Sequence, residues 1–206
     1  MFSNKKSDHL LAKIRNGAHL SRREKLELIV ELSIPSMLAQ ITTVMMFFID
    51  AAMVGHLGAT ASASIGLVET TTWLMGSILS AASLGFSVQV AHFIGANDFT
   101  RARQVFRHAL VCGGVVSVLM ALAGVVVHTP LPYWLGGRAD IAPLSSAYFL
   151  IFSLTLPAVL LYHLMGAMLK SAGEMRVPSV LSILMCSLDV AFNYLFIYLL
   201  KMGVTG

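Results

Sequence analysis

Charge is what this sequence has least of: Asp, Glu, Lys and Arg make up only 12% of its 206 residues. A soluble domain carries roughly twice that share, and with 57% hydrophobic residues an ordinary water-exposed surface is excluded. Cysteine is nearly absent. Cys112 and Cys186 both fall inside apolar blocks, which fits small buried hydrophobes better than a disulfide framework or a metal-ligand set. Enzyme signatures are missing as well. There is no His-Glu-x-x-His, no Gly-x-Ser-x-Gly and no Walker loop, and the scattered histidines have no ligand spacing. The chain reads as a non-enzyme that needs no cofactor. The basic pI near 9.3 does not imply nucleic acid, because the basic residues sit between hydrophobic blocks rather than in a patch.

What is present is length in those blocks. Each reaches the roughly 20 residues a helix needs to cross a hydrocarbon core about 30 Å thick. The pattern predicts an all-α membrane protein, a bundle of about five transmembrane helices over residues 29–54, 62–94, 105–127, 142–169 and 178–200. Residues 1–27 form a polar, basic tail, in which Leu10, Leu11 and Ile14 recur at helical spacing. That spacing predicts a short amphipathic helix at the lipid surface. Pro35 and Pro157 lie inside the first and fourth blocks, where proline kinks a helix or marks its ordered start. Ser77, Ala81 and Gly85 make a small-residue face on the second, expected to admit a neighbouring helix.

Orientation follows from the basic residues. Twelve Lys and Arg lie in the N-terminal tail and in the loops after the second and fourth blocks, against Arg138 and Lys201 on the other side. The excess places the N-terminus in the cytoplasm of a plasma or bacterial inner membrane and the C-terminus outside. An odd number of spans ending in the loop-like Lys201–Gly206 leads to the expectation that the natural chain continues past a truncation before a sixth helix.

Three carboxylates lie deep in the blocks: Asp50, Glu69 and Asp189. Placing such a group at membrane depth costs on the order of 2.5–3.5 kcal/mol, so it faces a cavity or a partner. At about 1.5 Å per residue, Asp50 lies about 30 Å along the first span and Glu69 about 10 Å below the outer start of the second. Asp189 lies roughly 16 Å up the fifth span, and Asn193 follows it by one turn on the same face. Three helices thus offer acids in the outer half of the bilayer. Carboxylates with amide and hydroxyl oxygens suit Na⁺ or an exchangeable proton. Asp50, Asp189 and Asn193 are the candidates for that site, with Glu69 and Gln40 weaker ones. No other metal site is indicated. Each acid could instead serve assembly alone, as could the threonines at 42, 43 and 70–72.

The runs Pro35-Ser-Met-Leu-Ala-Gln40, Phe48-Ile-Asp50-Ala-Ala-Met-Val-Gly55-His-Leu-Gly58 and Ala63-Ser-Ile-Gly66 resemble the first two helices of multidrug and toxic compound extrusion (MATE) transporters. Gln89 to Gly95-Ala-Asn-Asp98, Tyr148-Phe-Leu-Ile151 with Pro157, and Gly166 to Gly173 with Pro178 follow in order, so the resemblance runs from about residue 27 to 203. It implies a cation-coupled exporter of twelve helices in two six-helix lobes, this chain covering helices one to five of the N-lobe and its C-lobe lying beyond. It also implies an N-lobe cation or proton site built from a first-helix aspartate, matched by Asp50, and a fifth-helix Asn-x-x-x-Asp. Here that pair reads Asp189-Val-Ala-Phe-Asn193, with the residue types exchanged. The implied partners are a small organic substrate and membrane lipid. Two rival readings keep the membrane bundle: a flippase of lipid-linked oligosaccharides, which calls for basic residues inside the cavity, and a non-transport assembly module. The charge count makes a first prediction. In a background without native cysteines, an impermeant thiol reagent applied to intact cells should label a cysteine at Gly137 and spare one at Asn97, and the reverse pattern would invert the topology.

Overall fold

The computed structural model describes residues 5–15, 20–200 and 203. Its helices are α1 (Lys5–Arg15), α2 (Arg22–Gly55), α3 (Ala59–Gly95), α4 (Phe99–Val127), the single turn α5 (Leu131–Trp134), α6 (Ala142–Ser171) and α7 (Arg176–Asn193), which runs into a π-helical turn at Tyr194–Leu199. Five of them are long and apolar enough to cross a membrane. The chain is an all-α membrane bundle.

The helices outrun the apolar blocks because local capping, not hydropathy, sets their ends. α2 starts at Arg22, behind a capping box. Ser21 Oγ accepts from the Glu24 N–H at 3.2 Å, and the Glu24 carboxylate accepts from the Ser21 N–H at 2.8 Å. Lys13 of α1 reaches the same carboxylate at 2.8 Å. Asp98 caps α4 by accepting from the Arg101 N–H at 3.0 Å, so that helix also begins earlier than its block. The preceding stop is made by Asn97 at φ 58°. Pro35 therefore lies thirteen residues inside α2, well past its start.

The helix expected in the tail forms as α1 and packs partly on the bundle. Leu10 of α1 is buried with Leu20 and Leu28, while Ile14 stays exposed.

Two packing units make up the bundle. In the first, α6 packs along both α3 and α4, and α3 meets α4. The α6 stripe Ser145, Phe149, Ser153, Leu156, Leu160 and Leu164 repeats at three and four residues and is fully buried. Hydroxyl donors tie α3 to α6 near both ends: Ser145 Oγ donates to the Ser64 carbonyl at 2.6 Å and Ser171 Oγ to that of Ser87 at 2.9 Å. The small-residue stripe that admits a neighbour belongs to α4, through Ala109, Gly113, Ser117, Ala121 and Gly124. The expected face at Ser77, Ala81 and Gly85 is exposed instead. The serine ties fix the opposite side of α3 as the contact, so this face turns away.

The second unit is α2 against α7. They run parallel, joined by Ser179 Oγ, near the start of α7, donating to the Pro35 carbonyl inside α2 at 2.6 Å. Contacts between the two units are sparse, and a cleft separates them.

The packing corrects the labelling test and makes a second prediction. A side chain at Gly137 would meet the Pro132 carbonyl oxygen at 2.7 Å, so the reporter cysteine belongs at Arg138, whose side chain is 81% exposed. A Cβ on Gly124 would stand 2.7 Å from Ser153 Cβ, whereas one on Gly114 meets nothing within 4 Å. Gly124→Ala should destabilise the bundle by about 1–3 kcal/mol through overpacking, read as a lower thermal midpoint in detergent. Gly114→Ala should leave that midpoint in place.

Candidate functional site

The parallel pairing of α2 and α7 brings their polar residues to one level. Pro35 within α2 meets Ser179 near the start of α7; Asp50 and Asn193, fifteen and fourteen residues on, meet again. Asn193 Nδ2 donates to Asp50 Oδ1 at 2.9 Å and to Asp189 Oδ2 at 3.3 Å. One amide thus bridges two carboxylates from two helices. Asp189 and Asn193 share a helix face because they are four residues apart. The π-helical turn begins directly after Asn193, with the Leu200 N–H donating to the Leu195 carbonyl at 2.9 Å. Such turns occur preferentially at functional sites. All three polar side chains are partly buried.

These residues line a cavity of about 970 Å³ between the two units. Glu69 and Trp73 of α3 and Tyr148 of α6 also line it, and among its described lining residues there is no Lys or Arg. The structure thus brings Asp50, Asp189, Asn193 and Glu69 to one cavity but keeps Glu69 outside the hydrogen-bonded trio. Gln40 lies elsewhere. It lines a second cavity of about 810 Å³ nearer the starts of α2 and α7, together with Ser36, Lys170 and Pro178. Ten residues separate Gln40 from Asp50, about 15 Å of helix, which places it at a different depth. Of the threonines, Thr42 and Thr43 bond back to their own helix at the Leu38 and Ala39 carbonyls, and Thr72 does so at that of Glu69.

Sequence reading passed over the cavity wall of Phe47, Trp73 and Tyr148. It also passed over Glu31, one turn before Pro35, which buries Oε2 without a partner among the described residues. Its position near a block end, where water is within reach, hid it.

Two carboxylates and an amide could accept a cation. Two carboxylates side by side repel unless something positive lies between them. The Asn193 amide does this with a donor, and a proton or a hard cation could do it with full charge. A half-turn of the amide would present Oδ1 in place of Nδ2, giving an all-oxygen set suited to an ion such as Na⁺. Among the described residues there is no group of three His, Cys, Asp or Glu that could hold a metal ion.

Comparison with known proteins places this arrangement in context. The family described as MatE matches residues 35–195. Multidrug and toxin extrusion protein 1 of Danio rerio is 24% identical over 199 residues, covering 94% of this chain and 33% of that protein. Multidrug resistance protein PmpM of Pseudomonas aeruginosa is 27% identical over 188 residues, covering 89% and 39%. Among solved structures, a MOP superfamily transporter from Pyrococcus furiosus superposes with a TM-score of 0.81 at 23% identity, over 100% of this chain and 43% of its own. The chain therefore spans between a third and about two-fifths of the length of these relatives.

Proposed function

The chain belongs to the MATE family, and on that premise we propose that its protein exports small organic compounds, among them drugs and toxic compounds, by cation-coupled antiport with alternating access. The observation that carries this reading is the Asn193 amide held between Asp50 and Asp189 in a cavity at membrane depth. A Na⁺ ion or a proton at this trio is the coupling species. Its binding removes the repulsion between the two carboxylates and relaxes their hold on Asn193. Because Asp50 lies on α2 and the other two on α7, occupancy acts on the pairing of those helices. The reading places the protein in the plasma or inner membrane with a cytoplasmic N-terminus, and pairs this lobe with a second one. The cavity's described lining, free of Lys and Arg, favours a cationic or neutral cargo over an anionic lipid-linked oligosaccharide.

Full-length protein in liposomes tests this. Asp→Asn keeps size and hydrogen bonding but removes the titratable charge, so Asp50→Asn and Asp189→Asn should each abolish ion-driven efflux at matched protein levels. Wild-type efflux from both would reduce the acids to an assembly role. The exchanged order on α7 makes a separate prediction. Asp189 and Asn193 serve one group, so the double variant Asp189→Asn with Asn193→Asp restores a carboxylate to the trio and should recover efflux lost in Asp189→Asn alone. An inactive double variant in properly inserted protein would show that the acid must stand at position 189.

A further inference from the structure

The two cavities share two lining residues, Ser80 of α3 and His163 of α6. One cavity holds the trio, and the other reaches Lys170 in the last turn of α6. His163 is half-buried where they meet. Its ring stands edge-on to that of Tyr162, with centroids 5.6 Å apart and an interplanar angle of 62°. Neither ring nitrogen of His163 has a hydrogen-bond partner among the described residues. His56 and His128 differ, since each sets Nδ1 against a carbonyl of its own helix, that of Ala52 and of Val125 respectively. Those bonds hold the two rings in place, whereas His163 leaves both nitrogens to the cavities.

The groups around His163 define what it can carry. Tyr162 lies beside it, and Lys170 stands two turns on along α6. Asp50 of α2, Glu69 of α3, Tyr148 of α6 and Asp189 of α7 line the trio's cavity with it. α4 contributes no residue to the described lining of either cavity. Imidazole is the side chain whose ordinary pKa lies nearest neutral pH, and it can take a proton on one ring nitrogen and release one from the other. Tyrosine and lysine ordinarily titrate roughly three units or more higher, so neither exchanges a proton as readily at neutral pH. Na⁺ prefers oxygen ligands and gains little from an imidazole wall. Glu69 and Ser80 are eleven residues apart on α3, about 16 Å of helix, so a proton crossing from the acids to His163 needs water along the cavity of about 970 Å³.

We propose that His163 relays the coupling proton between the trio and the cavity on the cytoplasmic side. A carboxyl of the Asp50–Asp189 pair gives its proton through cavity water to one ring nitrogen, which leaves a carboxylate and an imidazolium. The imidazolium then loses a proton from its other nitrogen to water in the cavity that ends at Lys170, and neutral imidazole is restored. The exchange is reversible and needs no further reactant. It rests on the transport reading above and sharpens it: the species that reaches the cytoplasm by this route is a proton, not Na⁺.

The test is proton-driven efflux in liposomes holding the full-length protein at matched insertion. His163→Ala and His163→Gln should each lower the rate by about tenfold or more, since a positioned proton-transfer group contributes roughly 10²–10⁴-fold. Free imidazole, at one concentration on both sides and with wild type in the same buffer as reference, should raise the His163→Ala rate by about threefold or more. It should not rescue Asp50→Asn, which lacks a coupling acid. His92→Gln should match wild type, because His92 lines neither cavity. Wild-type rates in His163→Ala would overturn the proposal, and so would an equal loss in His92→Gln. A loss that imidazole leaves in place would reduce His163 to packing and overturn it as well. Wild-type efflux that a Na⁺ gradient drives and a proton gradient does not would do the same. Failure of the transport reading would appear separately, as undiminished ion-driven efflux in Asp50→Asn and Asp189→Asn.

Discussion

Hydrocarbon offers a polar group no partner, so each one inside a membrane bundle must find its partner in the protein. The serines of this chain obey that constraint and, in doing so, build the fold. Ser145 and Ser171 donate to carbonyls of α3, and Ser179 donates to the carbonyl of Pro35 on α2. Each bond ties two helices that run the same way and so have no short loop to hold them in register. The bond from Asn193 to Asp50 is of the same kind, between the same pair of helices that Ser179 joins. It differs in that both ends are side chains: it keeps α7 on α2 and holds two acids around one amide.

Two units follow from those ties, one of α3, α4 and α6 and the other of α2 and α7, with little packing between them. Interhelical hydrogen bonds hold each unit together, joined in the first by the close approach of small residues on α4. Between the units lie the cavities, separated by depth and bordered in common by Ser80 and His163. A shift of α2 with α7 would reshape both cavities without breaking any of the serine ties. An ion acting on the Asp50–Asn193–Asp189 trio acts within the unit that such a shift would carry.

Much of this was legible in the sequence. The apolar blocks gave the spans because hydrocarbon thickness sets a minimum length, and the cost of burying carboxylates singled out Asp50, Glu69 and Asp189. Rise per residue placed those acids in the outer half of the bilayer. It could not give their direction around each helix, which only packing decides. That is why Gln40 was grouped with residues it does not meet, and why Ser77, Ala81 and Gly85 were expected at a contact that Ser83 and Ser87 occupy instead. The pairing of α2 with α7, the π-helical turn after Asn193 and the approach of Phe47 to Trp73 have no periodic signature. Helix starts at Arg22 and Phe99 ran past the apolar blocks because caps such as Ser21 and Asp98 extend polar helix ends into water.

The central claim is that Asp50, Asn193 and Asp189 act as one cation-binding unit. Infrared difference spectroscopy of the purified protein tests it most directly, by following the carbonyl stretch of protonated carboxyl groups as acid or Na⁺ is added. If the claim holds, one protonated-carboxyl band titrates with the site and disappears in Asp50→Asn and in Asp189→Asn alike, because the proton belongs to the pair. A titrating band that survives unchanged in both variants would contradict it.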